Sequence, residues 1–112
     1  YLAVDIKFSW ANYQQLAPQG LIPGIKKSVE IIINSNLNYE FRTTVVPGLH
    51  DIKEIEKIAQ QIEGAEKYYI QNFRPVNTLD PELKDRRSFA PSELQELKAA
   101  AEKYLENVQI RD

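Results

Sequence analysis

Asp5 and Lys7, Arg42 and Thr44, and Gln71 with Phe73 and Arg74 are the residues of this 112-residue chain whose types and spacing are suited to ligand chemistry. In an extended strand, positions i and i+2 face the same way, so Asp5 with Lys7 and Arg42 with Thr44 would each place two polar groups on one side of a sheet. A carboxylate accepts from a hydroxyl or an ammonium. A guanidinium presents a planar fork of donors matched to a carboxylate or phosphate. Together they suit a zwitterionic, amino-acid-like ligand. The plainer readings are a surface ion pair between Asp5 and Lys7, worth little, and a buried Glu40–Arg42 pair that fixes strand register.

These residues need strands to carry them, and periodicity supplies three. Tyr1–Lys7 puts Leu2, Val4 and Ile6 on one face, and Tyr39–Val46 puts Tyr39, Phe41, Thr43 and Val45 on one face against Glu40, Arg42 and Thr44. Lys67–Phe73 puts Tyr68, Ile70 and Asn72 against Tyr69, Gln71 and Phe73. A helix is expected from about Pro23 to Asn34, with the stripe Ile25, Val29, Ile32 and Ile33. A second follows the capping-box spacing of Asp51 and Glu54, with Ile52, Ile55, Ile58, Ala59 and Ile62 as its stripe and Gly64 at its left-handed end. A third opens at Pro91, with Leu94, Leu97, Ala101, Tyr104 and Leu105 inward. Ala90 at its N-cap has no side-chain acceptor. Trp10, Tyr13 and Leu16 suggest short helical turns after the first strand. Arg74–Ala90 reads as a long connection, a length usually functional or mobile. Asn107–Arg111 reads as a short terminal strand.

The order βαβαβα, with that final strand, defines an α/β fold with parallel strands and helical crossovers in a single domain, residues 1–112. Parallel strands are usually apolar on both faces, yet each of these carries a polar face. Either the helices cover one side and the other meets water, in a two-layer sandwich, or the polar face lines the interior of a barrel whose other strands lie elsewhere. Asp5, Lys7, Arg42, Thr44, Gln71 and Arg74 crowd the carboxyl ends of their strands, where α/β proteins bind ligands. A merely solvated face gives no reason for such crowding.

Composition narrows the rest. A net charge of −2 gives no long-range attraction for nucleic acid or an anionic membrane. No apolar run approaches a membrane span or a signal peptide, so a cytoplasmic protein is expected. With no cysteine and one histidine, the chain has no thiolate metal site and no Ser-His-Asp constellation. His50, in the turn before a helix, is expected to be solvated. Pro47-Gly48 lacks the glycine array and Lys-Ser/Thr of a phosphate loop, and Arg86-Arg87 reads as a solvated loop. Tyr1 opens the chain in mid-strand with no methionine before it, from which a C-terminal piece of a longer protein is expected. Loss of a few leading residues is the plainer alternative.

The segments YLAVDIK, SVEIIINSNLNYEFRTTVVPGLHD, YYIQNFRP and FAPSELQELKAAAEKY, in that order, closely resemble the radical S-adenosylmethionine activating enzymes. The resemblance is nearest to those associated with anaerobic ribonucleoside-triphosphate reductase, with the pyruvate formate-lyase activating enzymes more distant. It covers nearly the whole chain, and its specific parts are Asp-x-Lys and (Y/F)EFRTTVVP. It implies the last three βα units of a six-unit partial TIM-like barrel. It also implies, for the full-length protein, S-adenosylmethionine and a [4Fe–4S] cluster held by a CxxxCxxC loop. Reductive cleavage to a 5′-deoxyadenosyl radical would then make a glycyl radical on a partner enzyme of the anaerobic ribonucleotide reductase or pyruvate formate-lyase type.

By position, the resemblance implies that Asp5 and Lys7 lie near the methionine moiety of the cofactor, that Arg42 contacts it, and that Gln71 and Phe73 lie against it. Where some relatives carry a histidine, this chain has Phe73 or Arg74. It also lacks all three cluster cysteines, so alone it is expected to hold neither the cluster nor bound S-adenosylmethionine and to perform no radical chemistry. Its exposed barrel edge should favour self-association. The alternative is a stand-alone two-layer α/β binding module without catalysis.

Overall fold

The computed structural model describes residues 1–7, 9, 21–73 and 88–111, and of residues 21–25 the backbone. The readings placed on Trp10, Tyr13 and Leu16, on Arg74 and on Arg86-Arg87 lie outside the described residues. Four strands, β1 (Leu2–Asp5), β2 (Tyr39–Val45), β3 (Tyr68–Asn72) and β4 (Val108–Arg111), alternate with three helices, α1 (Leu21–Ile33), α2 (Ile52–Gln61) and α3 (Pro91–Ala101). All neighbours are parallel, in the order β1-β2-β3-β4. Sequential order is what right-handed crossovers of one sense produce, and it puts every helix on the same side.

The packing agrees. Tyr39, Phe41, Thr43 and Val45 of β2 and Tyr68 and Ile70 of β3 are buried. Their apolar members join Val29 of α1, Ile55, Ile58 and Ala59 of α2, and Leu94, Leu97 and Ala101 of α3 in one core. A polar relay threads this side: the Tyr68 hydroxyl donates to Thr43 Oγ1 at 2.6 Å, which donates to the Ile6 carbonyl at 2.7 Å. Every hydroxyl in it is therefore satisfied, as burial requires, and burial pushes the Tyr68 phenol far above its ordinary value.

The helix starts divide a capping box between them. In α2, Asp51 accepts from the Glu54 N–H at 2.7 Å, but the Glu54 carboxylate, buried, turns away to Ser9. In α3, Ala90 has no acceptor, and Glu93 supplies the reverse half by accepting from the Ala90 N–H at 2.8 Å. Gly64 has the positive φ of 98° expected of a helix-ending glycine. Ile52 departs from the expected inward stripe and is 43% exposed.

The other side of the sheet carries the alternate residues and no helix among the described residues. The sheet is open, with β1 and β4 as its edges, and Tyr1 and Leu2 are exposed along the β1 edge. Among the described residues no helix is long and apolar enough to cross a membrane.

Candidate functional site

The polar side of the sheet divides into two halves along the strand direction. The carboxyl-end half holds a cleft of about 280 Å³ lined by Asp5, Ile6, Lys7, Thr44, Val46, Leu49, His50 and Phe73. Three strands and one turn converge on it. β1 delivers Asp5, and Lys7 follows just beyond its end. β2 delivers Thr44, and just beyond it Val46 and the turn bearing Leu49 and His50. The end of β3 delivers Phe73. The turn reverses tightly because Gly48 adopts φ 90°, which costs a glycine little, and the Leu49 and His50 N–H groups both donate to the Val46 carbonyl.

Of the residues singled out by sequence, the cleft brings together Asp5, Lys7, Thr44 and Phe73. Arg42 lies one step deeper, opposite Asp5 in the strand register, and its Nε donates to Asp5 Oδ1 at 2.7 Å. The two side chains are 32% and 54% exposed, so water competes for both partners and the pair is loosely held. Gln71 lies opposite Thr44 on β3, half-buried. Apolar walls with a few convergent polar groups are the usual make-up of a small-molecule site.

Below the floor of β3, Asn72 acts as a backbone mimic. Its Nδ2 donates to the Phe89 carbonyl and its Oδ1 accepts from the Phe89 N–H, both at 3.0 Å, while the Ser88 hydroxyl donates to the Phe73 carbonyl at 2.6 Å. The chain leaving β3 and the chain entering α3 are thereby pinned side by side at the cleft.

Two sequence-based pairings are corrected. Asp5 pairs with Arg42 and not with Lys7. Glu40 does not pair with Arg42: it accepts two bonds from Arg111 of β4, at 2.8 and 3.2 Å, and one from the Tyr1 hydroxyl at 2.7 Å. To get there Arg111 lies across β3 with its guanidinium 3.7 Å above the Tyr69 ring, a favourable cation–π distance. Burial alone would push the Glu40 carboxyl up, but the bonds and charge from Tyr1, Arg111 and Arg42 outweigh it and hold it below its ordinary value. These contacts make up the amino-end half of the polar face.

His50 is also corrected. It is not solvated but 6% exposed, with both ring nitrogens engaged. Its composition gave no signal of this. Only the Gly48 turn, which folds the ring back toward β1, carried one.

Among the described residues, no group of three or more His, Cys, Asp and Glu side chains could hold a metal ion. What the geometry defines is a part-apolar, part-polar cleft at the carboxyl ends of a parallel α/β sheet. Among curated proteins, the chain is similar to one of Methanocaldococcus jannaschii named "Putative glycyl-radical enzyme activating enzyme", with 33% identity over 116 residues that cover 99% of this chain and 48% of the relative. The chain thus spans about half the length of the curated relative it matches. No family model matches it, and no solved structure matches it.

Proposed function

We propose that the chain is the C-terminal part of a radical S-adenosylmethionine activating enzyme, the last three βα units of a partial barrel. Its cleft would hold the methionine end of the cofactor. The observation that carries this reading is a coincidence of two independent sets. The residues assigned by resemblance to the cofactor, and the residues that converge at the strand ends, share Asp5, Lys7 and Phe73.

The donor set fits the ligand. Asp5 accepts from the α-ammonium. Arg42 donates to the α-carboxylate, with Lys7 adding positive charge, and Ile6, Val46, Leu49 and Phe73 cover the apolar remainder. Gln71, beside Thr44, and Arg74, just beyond Phe73, are further contacts in this reading. S-adenosylmethionine, when bound beside a reduced cluster, supplies a 5′-deoxyadenosyl radical for hydrogen abstraction. This chain's residues bind and orient it. The [4Fe–4S] cluster needs thiolates, which this chain does not contain, so no step through it is assigned here. The acceptor in this reading is a glycine of a partner enzyme, of the anaerobic ribonucleotide reductase or pyruvate formate-lyase type. The name of the similar protein supports a glycyl-radical enzyme as the partner, and the type follows the sequence resemblance.

The test is the coding sequence ahead of Tyr1. A CxxxCxxC within about a hundred residues is expected, and anaerobic loading of that longer protein should give S-adenosylmethionine cleavage that Arg42→Ala abolishes. Absence of the motif overturns the reading. It would leave a stand-alone two-layer binding module, which is favoured by one observation: Arg111 and Tyr1 already close the amino half of the polar face. Exposed Tyr1 and Leu2 on the β1 edge support self-association of the isolated chain. A strict monomer by light scattering at high concentration would count against it.

A further inference from the structure

His50 lines the cleft and ties its two walls together. The ladder of β1 on β2 ends where the Ile6 N–H donates to the Arg42 carbonyl at 2.8 Å. Lys7 and Ser9 lie past that point, and side chains from the opposite wall hold them. The Val46 N–H donates to His50 Nδ1 at 3.0 Å, so Nδ1 carries no proton. The ring proton is therefore on Nε2, which donates to the Lys7 carbonyl at 2.7 Å, across 43 residues of sequence. Four residues further on, Glu54 accepts from the Ser9 N–H at 2.7 Å and from the Ser9 hydroxyl at 2.9 Å. The exit of β1 is thus gripped at alternate residues from the start of α2. The Glu54–Ser9 grip is buried, where a hydrogen bond is not diluted by water, and the His50–Lys7 grip is part-buried, with the His50 ring itself inside.

We infer that His50 is a positioning residue for the cleft. Through its Nε2–H bond to the Lys7 carbonyl it fixes the exit of β1, and with it the reach of the Lys7 side chain, against the wall formed by Thr44 and Phe73. Its Nδ1 bond to Val46 does a different job, closing the turn on its own side. The purpose of the positioning rests on the ligand reading above, whereas the contact itself does not.

The two bonds can be separated by substitution. The asparagine Oδ1 stands where Nδ1 accepts, and the glutamine Nε2 stands where the ring Nε2 donates. His50→Gln therefore keeps the Lys7 link, and His50→Asn keeps only the Val46 link. Amide NMR spectra are recorded for wild type and both variants without ligand, and S-adenosylmethionine is then titrated as the probe into the longer, cluster-loaded protein with and without the same substitutions. Without ligand, the Lys7 and Ser9 amide resonances should move in His50→Asn and stay near wild type in His50→Gln. With the probe, His50→Gln should keep its affinity within about threefold, while His50→Asn loses about tenfold, the scale of one net hydrogen bond.

A merely structural histidine would weaken both variants alike, and that result overturns the inference. Ring nitrogen shifts of the wild type offer a test with no substitution: a bare Nδ1 and a protonated Nε2 are expected, and the opposite tautomer overturns it. If the wild type shows no response to S-adenosylmethionine but the Lys7 and Ser9 amides separate the variants as stated, the positioning role stands and the cofactor reading falls.

Discussion

The two halves of the polar sheet face hold charges of the same kinds and treat them in opposite ways. At the amino end, Glu40 is 3% exposed and takes three bonds from Tyr1 and Arg111. At the carboxyl end, Asp5 and Arg42 share one hydrogen bond with 54% and 32% of their side chains exposed, beside an open cleft. A buried carboxylate must be fully partnered, since its desolvation is repaid only by several good bonds. A half-exposed pair is worth little to the fold and is free to trade partners. The difference separates a charge locked into the sheet from charges with exposed, exchangeable partners, a distinction invisible in the residue types.

The largest effect that would break this comparison lies at Arg111. Arg111→Ala removes two of the three bonds on Glu40 and the stack on Tyr69. It should lower the melting temperature by on the order of 5 °C, the response of a small domain to an orphaned buried group. Arg111→Lys should fall in between, because an ammonium cannot reproduce the bidentate fork or the flat stack. Calorimetry showing no change in Arg111→Ala would mean that water already serves Glu40 and that the two halves are alike.

Acid dependence sharpens the same point. The folded Glu40 carboxyl lies below its ordinary value of 4.5 because its partners outweigh burial. Its contribution to stability is therefore present above that value and lost as pH falls through the lower folded one. In a Tyr1→Phe, Arg111→Ala double variant, burial prevails and the folded value moves above 4.5. The sign then reverses: Glu40 costs stability at neutral pH, and the cost is relieved as pH falls through the raised value. Urea midpoints measured from about pH 7 down to pH 4 should rise in the double variant on acidification, after correction for the wild-type profile. Parallel profiles would refute the assignment of Glu40 as the sheet's internal charge.

How far this was readable from sequence differs between faces and partners. Alternation in Tyr39–Val45 assigns Phe41 and Val45 to the core and Arg42 and Thr44 to the other face, because side-chain period in a strand is fixed by geometry. Pro91, the Asp51 cap and Gly64 locate helix ends through local chemistry in the same way. Partner choice is not local. Glu40 meets Arg111 across an intervening strand, 71 residues away, and nothing in the alternation of either strand encodes that diagonal reach. Arg42 meets Asp5 because register sets them opposite, and register became known only once β1 and β2 were paired. His50 was misread because turn residues are usually solvated, whereas this turn folds its histidine inward onto the Lys7 carbonyl.

The smallest expected effects on stability lie in the cleft, and they test the comparison from its other side. Arg42→Ala should cost below about 1 kcal/mol of unfolding free energy, since its partner is exposed and can be hydrated. Thr44→Ala, at an exposed position of β2, should fall within about 0.5 kcal/mol. Against the S-adenosylmethionine probe their order of importance should be the reverse of Arg111's: Arg42→Ala loses most of the response, Thr44→Ala part of it, and Arg111→Ala little once the protein is folded. Such an inversion cannot arise from a uniform solvated face, on which stability and ligand response would both be indifferent to position. If Arg42→Ala destabilises the chain as much as Arg111→Ala does, the Asp5–Arg42 pair is a structural tie like Glu40–Arg111, and the cleft loses its principal anion-binding group.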